Sequence, residues 1–204
     1  MKHIFLLAGF LIISQLFQAQ SAQYQWGFKV GNSSTLGERP TKITVDSNGD
    51  IYTAGYYQDV ADFNPNGVAT NLSGISTECY VAKYNSAGVL VWAKNIGMAN
   101  LQEGTGLTVH NNQLILVGNY GNGGGIDLDP GPGTVLTPTV NNNGMFISKF
   151  DLNGNFIWGN GFACFSKPVI EGVKIDNANN IVVCGNFQYT IDFDPSASTA
   201  SLTA

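Results

Sequence analysis

Apolar positions along the chain fall into short runs of five to nine residues separated by turn-forming tetrads. No run keeps a 3.6-residue period for more than a turn or two, so helices are not expected. Between residues 42 and 97 four such runs read as strands: KITVD, DIYTAGYY, CYVAKYN and GVLVWAKNI, each rich in β-branched or aromatic side chains. DSNG at 46–49 joins the first pair and NSAG at 85–88 the last, placing Gly49 and Gly88 where a tight hairpin needs positive φ. Apolar residues follow one another, as in Val89, Leu90, Val91 and Trp92, instead of alternating. Both faces of the sheet are therefore expected to be covered, and the class is all-β.

The pattern then returns. YVAKYNSAGVLVWAKNIG at 80–97 comes back 66 residues later as FISKFDLNGNFIWGNGFA at 146–163, and Trp26, Trp92 and Trp158 are also 66 apart. Full units span 42–97 and 107–162, and a partial one spans 173–204. YQWGFKV at 24–30 matches the end of a unit, with Trp26 over Trp92 and Val30 over Ile96, and is expected to form an orphan outer strand. Gly55, Gly118 and Gly185 are expected to end equivalent second strands. Four-stranded antiparallel sheets repeated at constant spacing cover one another as blades of a β-propeller-type array. A β-helix is the competing reading, disfavoured by the long repeat and the hairpin turns. The third unit reaches Ala204 without its last two strands, so the ring is incomplete as written. That predicts an N-terminal fragment of a longer protein, or a short form that self-associates through unpaired edges.

The motifs DSNGDIYTAG (46–55), DNANNIVVCG (176–185), YVAKYNSAG (80–88) and FISKFDLNG (146–154) resemble the bacterial SBBP-type β-propeller repeat in its secreted Bacteroidota form. The resemblance covers nearly all of the chain beyond its leader and implies a larger extracellular or cell-surface protein. It is nearly silent on activity, because propellers serve unrelated functions.

Residues 1–22 read as a secretory signal: Lys2, an apolar stretch over 4–17, then small residues, with cleavage after Ala19, Ser21 or Ala22. An uncleaved anchor is the alternative, but the stretch is short for a spanning helix, and no later segment could span. The chain is therefore expected to be secreted or held at the cell surface. A charge of −5, or −6 without Lys2, offers no basic surface for nucleic acid. Cys79, Cys164 and Cys184 allow at most one disulfide, and their places in the repeat suggest small buried apolar positions.

Candidate chemistry is sparse. Asp62, Asn64 and Pro65 recur as Asp127, Asp129 and Pro130 and as Asp192, Asp194 and Pro195. Oxygens at i and i+2 on a bending loop could begin a calcium site, but Asx residues before proline also fix turns while the intervening Phe or Leu anchors the loop. No other cofactor is expected. The connections at 58–78 and 121–144 share one face and are either candidate binding loops for an extracellular protein or glycan or solvated polar padding. Lys83 and Lys149 recur in third strands, which suits scaffold lysines better than a catalytic group needed once. His110, the one histidine beyond the leader, sits at a hairpin turn, and no nucleophile elbow, metalloprotease motif or phosphate loop is present. The expectation is a secreted, non-catalytic scaffold or interaction module without catalytic residues. The alternative is the N-terminal part of an extracellular propeller enzyme acting on polymers such as glycans.

Overall fold

The computed structural model describes residues 26–31, 37–97, 101–121, 123–141, 143–196 and 198–204, so the leader and its cleavage site lie outside the described residues. Strands β1 (Arg39–Val45), β2 (Ile51–Asp62), β3 (Asn71–Tyr84) and β4 (Leu90–Ile96) form one antiparallel sheet in chain order. A second follows with β5 (Gln102–His110), β6 (Gln113–Gly121), β7 (Asn143–Asp151) and β8 (Phe156–Cys164). Beyond it, β9 (Val169–Ile175) pairs with β10 (Ile181–Asn186), and β11 (Thr190–Asp192) with β12 (Ser201–Thr203). Among the described residues no helix is long and apolar enough to cross a membrane.

One turn chemistry makes most of the hairpins. Oδ1 of Asp46 accepts the backbone N–H groups of Asn48 and Asp50, and Asn85, Asp151 and Asp176 repeat this to residues two and four further on. The residue three further on has positive φ in each: Gly49 81°, Gly88 78°, Gly154 78° and Asn179 65°. Asparagine tolerates that region through local hydrogen bonding, as glycine does for want of a Cβ. After His110 the turn shortens to Asn111 and Asn112, both left-handed at 47° and 58°.

Gly55, Gly118 and Gly185 recur for a different reason. Each first strand carries a bulge, where register slips past Thr41, Thr105 and Glu171. There the carbonyls of Arg39, Glu103 and Val169 come within 2.1, 2.4 and 2.2 Å of where a Cβ on the facing glycine would lie. Gly55 and Gly118 do not end their strands, contrary to the sequence expectation, since β2 continues to Asp62 and β6 to Gly121, whereas Gly185 is followed only by Asn186 in β10. Residues 58–78 are mostly ladder too: Val60 pairs with Ser73 and Asp62 with Asn71, which leaves only a short tip as loop.

The sheets stack face to face. Tyr52, Ala54, Cys79 and Val81 of the first meet Leu114, Leu116, Phe146 and Phe150 of the second. On the opposite face of the second sheet, Ile115, Val117, Met145 and Phe162 meet Ile170, Val173 and Ile191. Four successive residues of β6, Leu114, Ile115, Leu116 and Val117, are each 0% exposed, which accounts for their unbroken apolar run. First strands lie side by side, β5 against both β1 and β9, and the Thr41 hydroxyl donates to the Gly104 carbonyl. The sheets thus converge along their first strands.

Tryptophan ties their outer edges. Trp92 Nε1 donates to the Leu152 carbonyl at 3.2 Å, and its indole covers Gly154, where a Cβ would lie 3.0 Å from the ring. Trp26 treats Ser86 and Gly88 in the same way, at 3.2 and 2.9 Å. Yet residues 26–30 form no strand, which corrects the orphan-strand expectation over its described part. With no third strand beside it among the described residues, this segment packs through side chains, Phe28 and Val30 covering Tyr57, Phe63, Tyr80 and Tyr84.

Cys184 departs from expectation as well. Ala54 and Val117, its counterparts, are 0% exposed, whereas Cys184 is exposed. A Cβ on Gly104 would sit 3.3 Å from both Ala54 and Cys79, showing how closely β5 covers that face. Among the described residues β10, paired with β9 alone, has no such cover.

Candidate functional site

The Asp-x-Asx-Pro segments close the tips of the hairpins. Asp62 Oδ1 accepts Asn64 N–H and Thr70 N–H, Asp127 those of Asp129 and Val135, and Asp192 those of Asp194 and Ala200. The residue between completes each tip, Phe63 N–H donating to Thr70, Leu128 to Val135 and Phe193 to Ala200. Phe63 and Leu128 are fully buried and Phe193 packs on the core beneath it. One carboxylate oxygen therefore organises an eight-residue excursion, a structural task for the recurring aspartate. Among the described residues no three His, Cys, Asp or Glu side chains are grouped to hold a metal ion.

Lys83 and Lys149 occupy the same place in the ladder, opposite Trp92 and Trp158, but their surroundings differ. Lys83 is nearly buried, 2.9 Å from Asp50 Oδ2 and 5.2 Å from the centre of the Tyr52 ring. Burial pulls its pKa down, but hydrogen bonds with Asp50 and Tyr52 outweigh that and raise it. Lys149 has Gln113 and Ile115 where Lys83 has Asp50 and Tyr52, and finds no ion-pair partner among the described residues. Of these two, Lys83 alone is ion-paired among the described residues. Cys79 and Cys164 are buried free thiols, Cys164 pushed up to about 11 by desolvation. Neither is primed as a nucleophile.

The structure adds one feature that the sequence did not single out. Where β1 and β5 begin and β6 ends, beside the middle of β2, a cleft of about 340 Å³ lies between the two sheets. Its lining includes Arg39, Tyr56, Gln58, Glu103, Asn119 and Lys167. Lys167 Nζ bridges to Glu103 Oε2 at 2.9 Å, and Gln58 Nε2 donates to Thr77 Oγ1 at 2.8 Å. Asn119, 6% exposed, has its Oδ1 buried without a hydrogen-bond partner among the described residues. Amides, phenols and one ion pair are the chemistry of hydrogen-bonded binding. The cleft opens at the end of the sheets from which the second-to-third-strand hairpins project. The position after the recurring glycine is Tyr56 in the first unit and asparagine in the others, at Asn119 and Asn186.

No family model matches the chain. It is similar to an uncharacterised WD repeat-containing protein of Acanthamoeba polyphaga mimivirus, 28% identical over 131 residues that make up 56% of this chain and 8% of that protein. The chain thus spans less than a tenth of that relative's length. This likeness and the four-stranded antiparallel sheets agree with a propeller-like arrangement of blades.

Proposed function

We propose that the chain is an exported, non-catalytic interaction module of SBBP-type β-propeller repeats, with a leader over 1–22 and repeat units at 42–97, 107–162 and 173–204. Its ligand is an extracellular polymer or protein, held in the cleft on the hairpin-bearing end. One observation carries this reading: a polar cleft sits between two rigid sheets, beside projecting hairpins with structurally fixed tips. Clefts at such junctions are common sites of ligand binding. The mix of amides and tyrosines with one ion pair favours a hydroxyl-rich partner, a glycan, over an apolar one. The chain beyond the leader, screened against immobilised glycans and extracellular proteins, should bind a ligand in a way that Tyr56→Ala with Gln58→Ala abolishes. Binding that ignores those changes would refute the cleft, and release of soluble products from a polymer would favour the enzyme alternative.

A further inference from the structure

The third unit presents an unfilled version of an interface that the chain has already built once. A groove of about 490 Å³ runs between the second sheet and β9–β12, lined by Met145, Ile147, Phe162, Ile181, Val183 and Phe193 among others. Met145 and Ile147 take the places that Cys79 and Val81 hold in the first sheet. There, Phe146 and Phe150 of the following third strand share the buried core with them. The ladder register places Trp158 opposite Lys149 and Phe162 opposite Met145, so Trp158 lies on the groove side of its sheet. Unlike Trp26 and Trp92, the Trp158 indole N–H has no acceptor among the described residues. Among the described residues β10 pairs only with β9 and leaves its other edge open.

We infer that this groove and Trp158 together form a docking surface for one kind of partner, a β-hairpin of the same repeat type with an Asx-x-x-Gly turn. The specification comes from the two occupied examples. Each tryptophan takes the carbonyl of the residue after the Asx, Ser86 after Asn85 and Leu152 after Asp151, and covers the left-handed glycine. A hairpin that adds its first strand to β10 would fill the groove with aromatic side chains and bring its turn under Trp158. Main-chain pairing would supply affinity and the turn would supply selectivity. This assembly surface is separate from the ligand cleft, so either proposal can fail without the other.

The probe is a synthetic peptide of residues 146–163, or its backbone-cyclised form if the linear one stays unstructured, added to the 15N-labelled chain. Saturable binding is expected, with the Trp158 indole N–H signal shifting and its exchange slowing while those of Trp26 and Trp92 hold. Trp158→Ala in the protein, or Asp151→Ala with Gly154→Val in the peptide, should weaken binding at least tenfold, and Val68→Ala at an exposed tip should not. Failure of both peptide forms to bind at millimolar concentration would overturn the inference. So would binding that leaves Trp158 unmoved, or self-association that protects Trp158 and that the peptide does not reverse.

Discussion

Trp92 in one sheet and Leu152 in the next are joined by a 3.2 Å indole-to-carbonyl hydrogen bond that fixes how far the two sheets can splay. At the inner edge, the Thr41 hydroxyl bonded to the Gly104 carbonyl does the same for β1 and β5. Stacked sheets slide easily when only apolar faces meet, since burial is non-directional. A directional bond at each edge sets one register.

Trp92→Ala should therefore cost about 2–4 kcal/mol, below the ~3–5 of a fully buried tryptophan because Trp92 is half-buried. Trp92→Phe, which keeps most of the packing, should cost about 1 kcal/mol for the lost bond. Trp26, 39% exposed, should cost less than Trp92 when truncated. Urea unfolding with constant m-values checks the order.

At Gly118 an added methyl would meet both the Glu103 carbonyl and the Phe146 ring at 2.4 Å, inside a core closed on both faces. Gly118→Ala should lose at least ~2–3 kcal/mol by overpacking. Gly185→Ala, in a two-stranded hairpin free to shift, should lose less, and Gly37→Ala, with nothing within 4 Å, almost nothing. Thermal melts of the three variants rank them.

Asp127→Ala deprives two backbone N–H groups of their acceptor and should cost about 1–3 kcal/mol, whereas Asp127→Asn keeps an oxygen there and should cost far less. Since that carboxylate already has a structural task, calcium should not raise the melting temperature. A rise with calcium but not magnesium, removed by Asp127→Asn with Asp129→Asn, would make these loops a metal site.

The turn beneath Trp92 also sets a pH dependence. Desolvation raises the Asp151 pKa, but hydrogen bonds from Asn155 and Asn153, with Lys94 nearby, together outweigh it and hold the value below its ordinary 3.8. A depressed folded value adds stability above the unfolded pKa, lost as pH falls through the folded one. The stability gap between the native chain and Asp151→Ala should therefore narrow as pH falls below the ordinary 3.8 and through the depressed folded pKa. Lys83 acts with opposite sign: its raised value means stability present at neutral pH and lost as pH climbs above its ordinary 10.5.

Much of this fold was legible because its turns are local. Asp46, Asn85, Asp151 and Asp176 form their turns with residues two and four away, so motif and conformation coincide. The apolar run at 89–92 misled, because Val89 and Val91 are 56% and 53% exposed at the outer strand, and two covered faces are found instead in β6. What depends on distant partners was not legible. Residues 24–30 carry an outer-strand pattern, but a pattern cannot supply the strand it would pair with, and the described part packs without a ladder. Cys184 looked buried by its place in the repeat, yet burial belongs to the neighbouring sheet. The cleft was hidden because Tyr56 and Gln58 meet Glu103 and Asn119 only once two sheets stack.

The most direct test of stacked, tryptophan-tied sheets is hydrogen exchange at the three indole N–H groups of the dilute chain, read by 15N NMR. Trp92 should exchange slowest, half-exposed Trp26 faster and Trp158 fastest. Trp92 exchanging as freely as Trp158 would contradict the stacking of the first sheet on the second.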